Sequence, residues 1–141
     1  MKPAPQMQRI ITAIAAKHGL DLAAAHAHLR LTMPHYDRLV IEKGAPKQLS
    51  VAHYFEQHGD LVADPEIVFF MDEAGWIPIE ITQVFGYQRV AFLRADGERI
   101  IAALPDDQIA VAVFADDWAQ NIRDQRWLED GDATSFLKQA A

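Results

Sequence analysis

The chain reads LSVAHYFE over residues 49–56, and its side chains fall into two alternating sets. Leu49, Val51, His53 and Phe55 form one set, and Ser50, Ala52, Tyr54 and Glu56 form the other. A period of two is typical of a β-strand, in which successive side chains point to opposite faces of the sheet. This segment therefore predicts a strand, which ends at the turn residues His58-Gly59-Asp60.

Similar short runs occur on both sides of this segment. They cover residues 37–42, 66–71, 76–83, 87–94 and 99–103, and turn residues such as Asp96-Gly97 separate them. Pro78 has no backbone N–H, so we expect an edge position or a β-bulge there. The regular spacing, with no long helical crossover, predicts an antiparallel meander of about six strands over residues 37–103.

Helical patterns lie at the two ends of the chain. Apolar residues at helical spacing predict a helix over residues 6–18, and Asp21 is placed to cap a second helix over 22–30. After Pro105, a helix is expected over 106–128, with an apolar stripe formed by Ile109, Val113, Trp118 and Ile122.

These elements predict a single α+β domain over residues 1–141. It would contain an N-terminal helical pair within 5–31, the sheet over 37–103 and a tail over 130–141. Because a meander has one hydrophobic face that needs a cover, we expect the C-terminal helix, 106–128, to pack on it with the N-terminal pair beside it.

The charge of the chain is concentrated in its middle. The net charge is −7, and no Lys or Arg occurs between Lys47 and Arg89. Seven acids fall in that gap, while the rest of the chain carries equal numbers of acids and bases. This distribution argues against direct binding of nucleic acid or of an anionic membrane.

The chain has no cysteine, no phosphate-binding glycine motif and no apolar run long enough to span a membrane. Disulfides, thiolate metal sites and cysteine nucleophiles are therefore excluded. The N-terminus lacks the pattern of a signal peptide, so we expect a soluble cytoplasmic protein without a cofactor.

The central motif also resembles a known family. The run Ser50–Glu66 fits the pattern S-V-A-H-Y-x-E-Q-x-G-D-L-x-x-D-P-E, and weaker matches occur at residues 36–42, 76–78, 86–88 and 114–121. Over about residues 33–128, the chain resembles an uncharacterised domain family of bacterial plasmids, phages and integrative elements. It departs from that family at His58, where Asn is expected in the turn, and in its longer, Ala-rich N-terminal segment.

The resemblance implies an accessory role for a mobile genetic element and carries over no catalytic residue. Anti-defence proteins, including small acidic inhibitors of CRISPR and restriction complexes, are one such class. We therefore expect a non-enzymatic protein-interaction module whose partner has a basic surface, such as a nucleic-acid-binding host complex. A homo-oligomer is a further possibility.

The acidic middle of the chain supplies the expected partner contacts. Carboxylates spaced along a strand could occupy a basic groove of the partner, and Trp and Tyr beside turns could act as anchors. The expected partner-binding residues are Glu56, Asp60, Asp64, Glu66, Asp72, Glu73, Trp76 and Tyr87. The same pattern is also typical of a solvated sheet edge whose charges prevent aggregation, and Arg89 is placed to neutralise Glu80.

The alternative function is that of a small enzyme or ligand-binding protein. Its pocket would be formed by His53, Tyr54 and Glu56. Together with His58 and Asp60, His53 and Glu56 are also the densest group of potential metal ligands. Strand alternation, however, places His53 on the face opposite to Glu56 and His58, so no metal site is expected.

Overall fold

The structure, a computed structural model, describes residues 1–134. Residues 135–141 of the predicted tail lie outside the described residues. Three helices and nine strands occur in the described part, in the order α1 (Pro5–Lys17), β1 (His28–Met33), β2 (Tyr36–Ala45), β3 (Gln48–Gln57), β4 (Asp60–Asp72), β5 (Gly75–Gln83), β6 (Gly86–Arg89), β7 (Ala91–Leu93), β8 (Ile100–Ala103), α2 (Pro105–Asp124), α3 (Trp127–Asp130) and β9 (Asp132–Ala133).

The strands confirm the predicted antiparallel meander and the α+β class. Strands β1 to β6 pair with their neighbours in chain order, and β9 pairs with β1 at the other edge, so the sheet order is β6-β5-β4-β3-β2-β1-β9. Strands β7 and β8 form a separate two-stranded hairpin. The expected strand over residues 87–94 is therefore two strands, since the chain leaves the main sheet at the buried Val90.

The predicted second helix over residues 22–30 is wrong. Residues 21–27 form turns, and β1 begins at His28. Lys43 holds this loop against β2 with two hydrogen bonds. Its Nζ donates to the Leu22 carbonyl at 2.9 Å, and its backbone N–H donates to the Ala27 carbonyl. In β1, Leu31 is fully buried, so pairing with β2 and burial outweigh the helix propensity of the Ala-rich segment.

Two local predictions are confirmed by the register. Pro78 lies at a bulge, because Phe69 pairs with Pro78 while the adjacent Val68 pairs with Glu80. Residues 94–99 form the turn of the β7–β8 hairpin, where Gly97 has a φ of +74°.

Helices α1 and α2 pack side by side on one face of the sheet. The main core lies between them and the sheet, and it includes Met7, Ile11, Ile67, Phe69 and Trp118. The N-terminus of α1 has no cap from its own segment; instead, Asp116 of α2 accepts hydrogen bonds from the backbone of Gln6 and Met7 at 3.0 and 3.1 Å. Helix α2 therefore covers the sheet as predicted and also caps its neighbour.

The predicted stripe of the C-terminal helix is half correct. Trp118 and Ile122 are buried, but Ile109 and Val113 are each 47% exposed. The buried face instead uses Val111, Ala112, Ala115 and Ala119, with Gln108 hydrogen-bonded to the Lys2 backbone. The helix also ends earlier than expected, at Asp124, and α3 follows after Arg126, whose φ is +67°.

The second face of the sheet is only partly covered. The β7–β8 hairpin packs on it at one end, over Phe70 and Ile79. No helix within residues 1–134 is both long and apolar enough to cross a membrane.

Candidate functional site

The part of this second face that neither a helix nor the β7–β8 hairpin of residues 1–134 covers, here called the open face, is formed by β1 to β4. The register aligns two rows of side chains across it. They are Arg30, Val40, Ala52 and Glu66 in one row, and His28, Glu42, Ser50 and Val68 in the next. Arg38 and Tyr54 form a partial third row.

Two adjoining depressions lie on the open face. One, of about 260 Å³, is lined by His28, Arg30, Arg38, Val40, Glu42, Tyr54 and Leu61. The other, of about 300 Å³, is lined by Glu42, Gly44, Gln48, Ser50, Glu66 and Val68. Glu42 is shared by both, so its carboxylate lies at their junction.

Glu66 is positioned by two hydroxyl groups from β3. The Ser50 Oγ donates a hydrogen bond to Glu66 Oε2 at 2.6 Å, and the Tyr54 hydroxyl donates a longer one at 3.5 Å. Ser50 and Tyr54 lie on the same face of β3, two positions on either side of Ala52, which pairs with Glu66. The strand period therefore brings all three side chains together.

The pKa of Tyr54 is shifted by its surroundings on the open face. Burial, followed by the negative charges of Glu66 and Glu42, raises the pKa of Tyr54 to about 12. All these causes disfavour the phenolate, because its charge would be poorly solvated and would lie beside like charges. Tyr54 is therefore a hydrogen-bond donor at neutral pH and not a base.

The carboxylates of the second face differ in their partners. Glu56 pairs with Arg38 at 2.7 Å, and Glu80 pairs with Arg89 at 2.7 Å as predicted. Within the described chain, neither Glu42 nor Glu66 forms an ion pair with a basic side chain. The open face thus holds two carboxylates that lie outside the ion pairs of the described residues, together with the basic side chains of Arg30 and Arg38.

The other acids of the predicted binding region are spread along β4. Asp60 begins this strand, whereas Asp72 and Glu73 lie at its far end. Twelve steps of extended chain separate Asp60 from Asp72, or about 40 Å. The acidic residues therefore do not form one continuous face.

Asp64 and Glu66, two residues apart on β4, are not in simple alternation. Ala52 pairs with Glu66 and Tyr54 pairs with Ala63, so one residue of β3 lies opposite both Asp64 and Pro65. This extra residue interrupts the period of two, and the distance of a regular strand does not apply to the pair.

The two aromatic residues expected at the partner surface have different environments. Trp76 is only 4% exposed and packs against Phe69 at a ring distance of 5.9 Å, so it is a core residue. Tyr87 is 58% exposed, and its hydroxyl donates a hydrogen bond to Glu80 Oε1 at 2.6 Å. Only Tyr87 presents a large surface to solvent.

His53 lies on the opposite side of the sheet from Tyr54 and Glu56. Its ring lies near Trp118 and Trp127, at centroid distances of 5.4 and 5.6 Å, and its Nδ1 donates to the backbone carbonyls of Asp37 and Arg38. Burial lowers the pKa of His53, although the backbone hydrogen bonds oppose this effect. The structure therefore does not bring His53, Tyr54 and Glu56 into one pocket.

His58 does not form part of a group of metal ligands within residues 1–134 either. It occupies the β3–β4 turn with a φ of +53°, next to Gly59. Within residues 1–134, no three side chains of His, Asp or Glu converge as metal ligands.

Glu42, which ends the predicted strand 37–42, is a site residue that the sequence did not predict. The alternation of Arg38, Val40 and Glu42 is visible in the sequence and indicates that the three share a face. What the sequence could not supply is the register that places Glu42 opposite Ser50.

Among known proteins, the chain matches one family model. A family model described as a domain of unknown function, DUF6908, matches residues 8–128. No curated protein and no solved structure matches the chain.

Proposed function

We propose that this chain, which belongs to the family of the domain of unknown function DUF6908, is a non-enzymatic protein-interaction module. In this proposal, the open face binds a basic surface of a protein partner. The observation that carries it is the Glu66 carboxylate, which accepts hydrogen bonds from Ser50 and Tyr54 and takes part in none of the ion pairs within residues 1–134.

A Lys or Arg side chain of the partner would supply the missing cation. Two carboxylates, Glu42 and Glu66, line one shallow depression, and Tyr54 adds an aromatic ring at the adjoining one. Charge-assisted hydrogen bonds to carboxylates are stronger than neutral ones, and guanidinium groups also stack on aromatic rings. The negative net charge of the chain would speed the encounter and make it sensitive to salt.

The five acids Asp60, Asp64, Glu66, Asp72 and Glu73 remain part of the proposal in a modified form. Those at the ends of β4 act through long-range attraction, while direct contact is assigned to Glu66 and its neighbour Glu42. Neutralising the acids at the ends of β4 should therefore slow association, whereas neutralising Glu42 and Glu66 should remove the contact.

A second candidate function is binding of a small ligand on the open face. The depression of about 260 Å³ beside Tyr54 favours it, because its floor includes Val40 and its walls include Arg38 and Glu42. This version uses Tyr54 and Arg38, with Glu56 as the ion-pair partner of Arg38, and excludes His53.

The biological setting rests on the sequence resemblance. We place the protein in the cytoplasm of a bacterium that carries a plasmid, phage or integrative element, where it would inhibit a CRISPR or restriction complex. Plating phage on a host with an active defence system tests this part. Restored plaque formation on expression of the chain supports it, and unchanged plating argues against it.

The molecular part is tested by affinity capture from host lysate at low and high salt. The wild type is compared with Glu42→Gln/Glu66→Gln and with Asp72→Asn/Glu73→Gln, which removes the same charge at a distant turn. A protein captured by the wild type and by the turn variant, but not by the open-face variant, supports the proposal. Equal capture by all three proteins contradicts it.

A further inference from the structure

Exposed apolar side chains are concentrated in one part of the chain. Of the twelve large hydrophobic residues that are exposed within residues 1–134, nine lie between positions 84 and 114. They are Val84, Phe85, Tyr87, Phe92, Ile101, Leu104, Ile109, Val113 and Phe114. Single exposed apolar residues are ordinary, whereas exposed apolar residues that adjoin one another in space mark a binding surface.

Part of this region forms a groove between α2 and the β5–β6 edge of the sheet. The groove has a volume of about 190 Å³, and Ile81, Gln83, Gln88, Ala110 and Phe114 contribute to its lining. Directly after Gln83, the chain continues into Val84 and Phe85, which are 58% and 81% exposed. An apolar turn therefore follows directly on a groove whose lining is partly apolar and partly polar.

Helix α2 extends the apolar surface outwards. Ile109 and Val113 are one helical turn apart and equally exposed, so they form a ridge next to Phe114. The buried face of α2 packs on α1 and the sheet, so the ridge is the part of this helix that presents apolar surface to solvent.

Carboxylates lie at both ends of the ridge. Asp106 and Asp117 are exposed and eleven residues apart, which is about 16 Å along the helix axis. Asp107 lines the groove itself. In the described residues, none of these three acids has an ion-pair partner.

We propose that this surface, called here the α2 ridge (Ile109, Val113 and Phe114 with Asp106, Asp107 and Asp117), binds a basic amphipathic segment of a partner protein. The apolar side chains of the segment pack on Val113 and Phe114, and its Lys or Arg residues pair with the flanking aspartates. The burial of apolar surface provides affinity, while the carboxylates select against acidic segments.

A second copy of the chain is a poorer occupant. An isologous contact places the same patch on both subunits, so it would bring the aspartates of two ridges together without a cation between them. The α2 ridge is also separate from the open face, since α2 covers the other side of the sheet. The inference therefore does not depend on Glu42 or Glu66.

The test is a titration followed by backbone amide NMR. The probe is a synthetic amphipathic peptide of leucine and lysine, and the control peptide has glutamate in place of each lysine. We expect the lysine peptide to shift the amides of residues 83–88 and 106–117, and the glutamate peptide to shift none of them.

Two variants locate the contact. Val113→Lys replaces a half-exposed residue at the centre of the ridge and should weaken binding about ten-fold, the effect of losing a central interface contact. Leu61→Lys makes a matched change at a 55% exposed residue on the open face and should leave the peptide-induced shifts of residues 106–117 unchanged.

Several results would overturn the proposal. They are equal binding of the two peptides, shifts confined to the open face, or full affinity in a folded Val113→Lys protein. Light scattering adds a fourth, because a dimer that Val113→Lys converts to monomer would show that the ridge is occupied by a second copy.

Discussion

Ser50 and Glu66 are joined by a 2.6 Å hydrogen bond across β3 and β4, on the face of the sheet that no helix within residues 1–134 covers. The bond fixes the direction of a carboxylate that takes part in none of the ion pairs within residues 1–134. A charge held in place at an open surface loses little conformational freedom on binding, so its position favours contact with a partner. The proposed function and two of the predictions below depend on this arrangement.

The first prediction concerns the ionisation of Tyr54. Its pKa should be about 12, because burial and the charges of Glu66 and Glu42 disfavour the phenolate. Glu66→Gln removes one of these charges and should lower the pKa of Tyr54 towards that of an ordinary tyrosine. NMR of ring-labelled tyrosine over alkaline pH measures both values, and an unchanged Tyr54 titration in the variant would show that Glu66 does not act on it.

The second prediction concerns stability at mildly acidic pH. Burial lowers the pKa of His53 in the folded state, so the unfolded chain binds its proton more readily. Stability from this group is therefore present above the unfolded pKa, about 6.5, and is lost as the pH falls below it. Urea unfolding at pH 7 and pH 5 should show a smaller loss in His53→Gln than in the wild type.

The control for His53 is the exposed His28. His28→Gln makes the same substitution at an exposed position and measures what the change costs away from the core. If His53→Gln and His28→Gln lose the same stability on acidification as the wild type, burial of His53 is not a source of the effect.

The third prediction concerns the cap that α2 provides for α1. Asp116→Ala leaves the backbone N–H groups of Gln6 and Met7 without their acceptor and should cost about 1 kcal/mol of unfolding free energy. Asp117→Ala removes the same group from the next, exposed position and should change stability by less than about 0.5 kcal/mol. Chemical denaturation of both variants decides the point, and equal losses would contradict the assigned cap.

The fourth prediction concerns the β3–β4 turn. His58 and Gly59 both have positive φ, at 53° and 85°, as the two central residues of a type I′ turn require. Asn adopts this conformation more readily than His, so His58→Asn should stabilise the protein by about 0.5 kcal/mol. A higher urea midpoint is expected, and a lower one would mean that His58 makes a contact worth more than the turn preference.

Much of the sheet could be predicted because its signals are local. Gly, Pro and Asp mark the turns, the alternation over residues 49–56 indicates β3, and Pro78 marks the bulge. Strand β1 was missed although Leu29, Leu31 and Met33 alternate, because the preceding Ala-rich run favours a helix. Its strand conformation depends on pairing with β2, a distant contact that the local pattern does not reveal.

The candidate site was predictable only in part, for a related reason. Alternation correctly separated His53 from Glu56. The burial of Trp76 and the distance between Asp60 and Asp72 follow from the packing of whole elements and the length of β4. Ile109 and Val113 fit a helical stripe with Trp118, but the rotation of α2 about its axis is set by packing against α1, which leaves both exposed.

The most direct test of the central claim is the affinity of a captured partner for the wild type and for Glu42→Gln/Glu66→Gln, measured by titration calorimetry at two salt concentrations. We predict that the wild type binds more weakly at high salt, and that the variant loses at least about ten-fold in affinity at low salt. The Asp72→Asn/Glu73→Gln protein should keep most of the affinity. An open-face variant that folds and binds as tightly as the wild type at both salt concentrations would contradict the claim.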